Sequence, residues 1–190
     1  MAKAHIIPDA ALDRLIDDIV VHGRTPERDL VIILLSCKAG LRAQEIAGLT
    51  WRCVTGVSNT ITDEILIPAT VAKKGHERVI PTHPLLKEAL EILRAKTKGK
   101  TSERIVLDFH GEAMSPNNVA QYMRRTYHRY GLNASSHSGR RSVITKLART
   151  ANEHGCSLFD VMRIAGHKDI ETTEAYVVHS DNVHTLMRSI

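Results

Sequence analysis

Aromatic residues are scarce, at 4% of the 190 positions, and the chain has only three cysteines, six prolines and one tryptophan. The cysteines, Cys37, Cys53 and Cys156, are odd in number and far apart, which excludes a disulfide framework. Two sit in apolar surroundings, so the set reads as reduced thiols packed in a core, and the expected compartment is cytoplasmic. His154 with Cys156 is the nearest approach to a metal-ligand pair and has no second pair nearby, so neither a metal nor another cofactor is expected. No apolar run reaches the ~18 residues that span a bilayer, and Met1 to Pro8 lacks the long apolar stretch of a signal peptide. Repeats, low-complexity tracts and Pro- or Gly-rich linkers are also missing, and the chain reads as one domain over residues 1–190. With 43% hydrophobic and 25% charged residues it has the composition of a globular protein able to bury its own core.

Acidic residues are absent from Ala113 to Asn152, where Arg124, Arg125, Arg129, Arg140, Arg141, Lys146 and Arg149 supply seven positive charges. The first thirty residues carry six acids and four bases, so the net charge of +5 is unevenly spread. A basic stretch without acidic neighbours is the footprint of a polyanion, because each cation near a phosphate releases a condensed counterion. A solvated helix face is the competing reading.

Asp9 is placed to cap a helix whose Leu12, Leu15, Ile16, Ile19 and Val20 form one stripe ending at Gly23. Thr25-Pro26 opens a second helix, apolar all round from Leu30 to Leu35 and stopped by Gly40, which predicts a buried central helix. Two β-rich pieces follow, Ile61 to Ile67 and Arg78 to Ile80, joined through Lys73, Lys74, Gly75 and His76 as a turn. Helical periodicity resumes at Pro84 to Ala95, Pro116 to Tyr130 behind the cap Ser115, Ser138 to Ala151, Ser157 to Ala165 and Glu171 to Val178. A short strand is expected at Ile105 to Phe109, and residues 181–190 have the spacing of a small docking helix.

Three motifs carry chemistry. Gly40-Leu41-Arg42-Ala43-Gln44-Glu45 places an arginine at the start of a short helix, with a surface Arg42 to Glu45 ion pair as the plainer explanation. His137-Ser138-Gly139-Arg140-Arg141 opens a helix, so His137 and Arg140 can face one side beside the free N–H groups of a first turn; a capping histidine with solvated arginines is the alternative. Gly166-His167 is followed nine residues on by Tyr176. A phenol, with a reference pKa of about 10, becomes a useful nucleophile only where cations or a base support its ionisation.

In this order, and with a lysine in the β-turn, these residues resemble the catalytic domain of the tyrosine recombinases, the phage integrase family. The resemblance runs from the first helix through Tyr176: Gly-Leu-Arg-x-x-Glu at Arg42, Lys73 before Glu77-Arg78-Val79-Ile80-Pro81, His-x-x-Arg at His137 and Arg140, Gly-His at His167, then Tyr176. Counting back from Glu77-Arg78 selects Lys73, and a turn one residue different would select Lys74. The resemblance implies an α+β fold, mainly α-helical, with a small antiparallel β-sheet against a helical bundle. It implies that Tyr176 attacks a DNA phosphodiester, that Arg42 and Arg140 hold its oxygens, that His137 assists proton transfer, that His167 hydrogen-bonds the phosphate and that Lys73 protonates the leaving 5′-oxygen. Lys74, Arg78, Arg124, Arg125 and Arg141 are the expected further DNA contacts. The implied partner is double-stranded DNA, bound as a tetramer by a protein that is monomeric when free, in the nucleoid and without a membrane, metal or ATP.

Most of the family carry a separate N-terminal domain that clamps the other face of the DNA, whereas here the catalytic pattern begins almost at Met1. A natural short recombinase or an excised domain is therefore expected, with weaker and more salt-sensitive binding. Gly139 stands where the family usually has a bulkier residue, which predicts a looser helix start. A type IB topoisomerase and a DNA-binding regulator without catalysis are the alternatives.

Overall fold

The computed structural model describes residues 4–72, 75–97 and 103–177, and these fall into two compact units, 1–143 and 144–190. Helix α2 (Pro26–Cys37) organises the first unit. Its run Val31 to Leu35 is completely buried on every side, as a stretch that is apolar all round must be to escape water. Helix α1 (Asp9–His22) and helix α4 (Pro84–Thr97) pack on it, and helix α3 (Ala43–Gly48) packs against helix α5 (Pro116–Arg129).

Helix α1 buries Leu12, Leu15 and Ile19 but leaves Val20 exposed, so its apolar stripe is narrower than the sequence suggests. Asp9 is the first helical residue and not the cap, a position taken by Pro8, whose carbonyl accepts from Leu12 N–H. The expected two-stranded sheet forms between β1 (Glu64–Ile67) and β2 (Arg78–Pro81), antiparallel, with Ile65 opposite Ile80 and Ile67 opposite Arg78. Ile65, Ile67 and Ile80 point into the core.

No strand forms at Ile105 to Phe109. The segment makes only an isolated bridge, Leu107 to Ala113, with a second, Thr50 to Arg104, just before it. Asp108 ends any ladder, because its carboxylate accepts from the N–H groups of His110 and Glu112 and turns the chain through Gly111 at φ 86°. Helix α5 starts as expected, with Ser115 Oγ accepting from Asn118 N–H, and stops before Gly131 at φ 67°.

Helix α6 (Ser138–Thr150) follows. In the second unit, helix α7 (Leu158–Ala165) is capped by Ser157 and ended by Gly166 in the left-handed region. Helix α8 (Ile170–Glu174) is shorter than expected and ends before Tyr176. Its exit tightens into i to i−3 bonds, Tyr176 N–H to the Thr173 carbonyl at 2.9 Å and Val177 N–H to Glu174 at 2.8 Å, so the tyrosine leaves from a turn. Residues 181–190 lie outside the described residues. No described helix is long and apolar enough to cross a membrane.

Candidate active site

Gly40, at φ 67°, turns the chain after α2, and the fully buried Leu41 pins the turn so that Arg42 occupies the cap position of α3. Glu45, three residues on, reaches back to accept from Arg42 N–H at 2.9 Å and from Arg42 Nη1 at 3.2 Å. Arg78 comes from β2 and completes the cluster as a fork, Nη1 on Oε1 at 2.9 Å and Nη2 on Oε2 at 3.0 Å. The Glu45 side chain is 0% exposed, against 9% for Arg78 and 20% for Arg42. The Arg42–Glu45 pair that is the plainer explanation of the motif does form, but its carboxylate is buried and a second arginine is joined to it. Burial pushes the Glu45 carboxyl up, but the hydrogen bonds and charges of Arg78 and Arg42 outweigh it and hold the group below its ordinary value.

Arg140 enters the same loop from the first turn of α6. It is 4% exposed and its Nη1 donates to the Gly40 carbonyl at 2.5 Å. Arg42 and Arg140, almost one hundred residues apart in order, thus converge on the five-residue connection between α2 and α3, which holds Arg42 and supplies the carbonyl that Arg140 bonds. His137 sits exposed at the start of α6, where its carbonyl accepts the helix's first bond from Arg141 N–H. Between them Gly139 is packed tightly. A Cβ there would lie 2.4 Å from Ser36 Oγ and 2.6 Å from Cys37 Sγ, so only glycine lets α6 approach α2 this closely. The glycine expected to loosen the helix start instead lets it dock.

Within the second unit, Gly166 ends α7 with His167 N–H bonded to the Met162 carbonyl, which wraps the helix end and presents His167. His167 Nδ1 lies 3.0 Å from Thr173 Oγ1, and its ring stacks with that of Tyr176 at 5.6 Å between centroids and 25° between planes. Thr173 is buried, and its hydroxyl beside Nδ1 restrains the ring's rotation.

Lys73 and Lys74 lie outside the described residues. Arg124 and Arg125 are exposed on the outer face of α5, where with His128 and Arg129 they line a shallow depression; Val119, Met123 and Tyr127 hold the opposite face in the core. Arg141 is half-buried at the start of α6. Arg78, read from sequence as a DNA contact, turns inward onto Glu45. Glu45 itself was not singled out as a site residue; the signal was its position three after Arg42, where a carboxylate can reach back to the helix start. Among the described residues no three His, Cys, Asp or Glu side chains are grouped to hold a metal ion.

Solved structures share this fold. The chain overlays on a crystal structure of XerA recombinase with a TM-score of 0.76 at 16% identity, covering 100% of this chain and 65% of that one. It overlays on XerH site-specific recombinase bound to difH substrate with a TM-score of 0.76 at 17% identity, covering 99% and 54%. The architecture is that of a tyrosine recombinase catalytic domain. Residues 8–183 match the phage integrase family, and the chain belongs to it. Similar curated proteins include tyrosine recombinase XerA of Thermococcus onnurineus, 26% identical over 155 residues (80% of this chain, 51% of that protein). Tyrosine recombinase XerC of Rickettsia africae is 27% identical over 168 residues, 83% of this chain and 50% of its own length. The chain spans about half the length of these relatives.

Proposed function

We propose that residues 1–190 form the catalytic domain of a site-specific DNA recombinase that cuts and rejoins double-stranded DNA through a 3′-phosphotyrosyl intermediate. The observation that carries this reading is that Arg140 bonds the Gly40 carbonyl, two residues before Arg42, so that two arginines from distant parts of the chain converge on one connection. Two planar, permanently charged forks suit the nonbridging oxygens of a phosphodiester and the charge added to them in the transition state.

Tyr176 Oη attacks the phosphorus, the bond to the 5′-oxygen breaks, and that oxygen leaves as a hydroxyl with a proton supplied by Lys73. His137 takes up the phenol's proton, and His167, its ring fixed by Thr173, donates to a phosphate oxygen. The phosphotyrosyl link conserves the energy of the broken bond, so a second 5′-hydroxyl reverses the step without ATP. The cations are side chains, and the scheme asks for no metal. The stripe of Arg124, Arg125, His128 and Arg129 on α5, with Arg141 and Lys74, holds the duplex by its phosphates in this reading. The likeness to a Tn1549 transposon integrase solved in complex with a circular intermediate DNA supports DNA as the partner. The working assembly is a tetramer on DNA built from free monomers, in the nucleoid.

Covalent trapping tests this. The protein is mixed, in EDTA, with nicked or supercoiled DNA carrying its native flanking sequence and stopped with detergent. Wild type yields a protein–DNA adduct and Tyr176→Phe yields none. Binding without any adduct would favour a DNA-binding regulator, and relaxation without exchange between sites a topoisomerase.

A further inference from the structure

We propose that Arg78 is a positioning residue, which acts through Glu45 to fix the guanidinium of Arg42 for phosphate binding. The inference deepens the recombinase reading and rests on it. It also moves Arg78 out of the group of DNA contacts in which its motif first placed it.

The geometry is that of a clamp. Each Glu45 oxygen receives one bond from each arginine: Oε1 from Arg78 Nη1 and Arg42 Nη1, Oε2 from Arg78 Nη2 and Arg42 N–H. Arg78 holds the carboxylate in a plane, because both Nη atoms bind it at once, and its own backbone is anchored in β2 opposite Ile67. Glu45 then offers Arg42 one fixed acceptor, while Arg42 keeps the largest exposure of the three. A buried carboxylate deprived of Arg78 has two ways to recover: it can draw Arg42 inward, or it can take up a proton. Either outcome costs Arg42 its orientation. Lysine cannot substitute, since an ammonium is a point charge that makes no planar fork.

The test compares wild type, Arg78→Lys, Arg78→Ala, Glu45→Gln and the Arg78→Lys/Glu45→Gln pair in two measurements. The first is side-chain nitrogen relaxation of Arg42 Nε–H in the DNA-free protein. Wild type gives an ordered guanidinium, and Arg78→Lys gives a mobile one while the backbone amide spectrum away from the cluster is unchanged. The second is the rate of covalent adduct formation at saturating protein, beside gel-shift affinity for the same native-flank DNA. Arg78→Lys slows the adduct step by about tenfold or more and shifts affinity by less than about threefold, and the pair is no slower than either single variant because both act on one clamp. The proposal is overturned if Arg42 is equally ordered in Arg78→Lys, if that variant cleaves at the wild-type rate, or if its defect lies wholly in affinity, which would return Arg78 to direct DNA contact. Should wild type form no adduct, the recombinase reading fails, while Arg42 relaxation still decides the clamp.

Discussion

Glu45 is a carboxylate with four hydrogen bonds and no exposed surface, and its titration is therefore written into stability. Its carboxyl is held below the ordinary value of 4.5, so on acidification the unfolded chain binds this proton before the folded chain does. The stabilisation is complete above the unfolded-state value and is lost as pH falls through the lower folded-state value. Urea unfolding followed from about pH 6 to pH 3 is expected to show a steeper decline in wild type than in Glu45→Gln, which starts less stable but titrates less; parallel slopes would mean that Glu45 is not the ionised hub. Cysteine offers a second reading at this scale. Burial pushes the Cys37 thiol up to about 11, with Tyr127 Oη at 3.6 Å partly opposing the rise, and Cys53 is buried as well, whereas Cys156 is exposed. A thiol reagent at neutral pH is expected to label one cysteine quickly, Cys156, and the other two only on unfolding. Gly139 supplies the third. Replacing it with alanine forces a Cβ against Ser36 and Cys37 and is expected to cost about 1–3 kcal/mol in urea unfolding. The same change is expected to cost less in a Ser36→Ala/Cys37→Ala background, where the two nearest atoms are gone. None of these contacts follows from the sequence alone, because burial of Glu45 and closeness at Gly139 depend on elements from distant parts of the chain.

Elements were more legible than single side chains wherever periodicity and a stop signal agreed. Helix α2 announces itself by an apolar run closed by a glycine, and α5 by Ser115 in front and Gly131 behind. Legibility failed where a local polar group overrode the pattern. The apolar letters of Ile105 to Phe109 suit a strand, yet Asp108 captures two backbone N–H groups and turns the chain. Likewise α8 carries helical spacing past its real end, and the i to i−3 bonds after Thr173 decide where Tyr176 begins to project. The outer face of α5 makes the sharpest prediction at this scale. Arg124, Arg125 and Arg129 are exposed, with no acid from Ala113 to Asn152. Removing two of them is expected to weaken duplex binding similarly for all sequences and to flatten the plot of log affinity against log salt by about 0.9 for each phosphate that is no longer neutralised. An unchanged slope would mean that the stripe is only a solvated face.

At the scale of the whole molecule, the core is uneven. The first unit centres on a helix with six consecutive residues at 0% exposure, Val31 to Ser36. The described part of the second unit buries fewer large side chains, chiefly Ile144 on α6 and Val161 on α7, with Ala151 and Ala165. Native-state hydrogen exchange is therefore expected to find the slowest amides on α2, opening only with global unfolding, and faster exchange through local opening on α7 and α8. Uniform protection across both would contradict this. The order of the family motifs, legible from sequence because it is linear, says nothing of such gradients. Those arise from how much apolar surface each stretch finds to cover.

The close approach at Gly139 also has a historical consequence. Positions 36, 37 and 139 share one small volume, so the order of their substitutions matters: a lineage that enlarges residue 139 before residues 36 and 37 shrink carries the full stability cost of the crowding. A descendant that takes the steps in that order passes through a less stable ancestor, so change at the site two residues from His137 is coupled to a pair of positions on another helix.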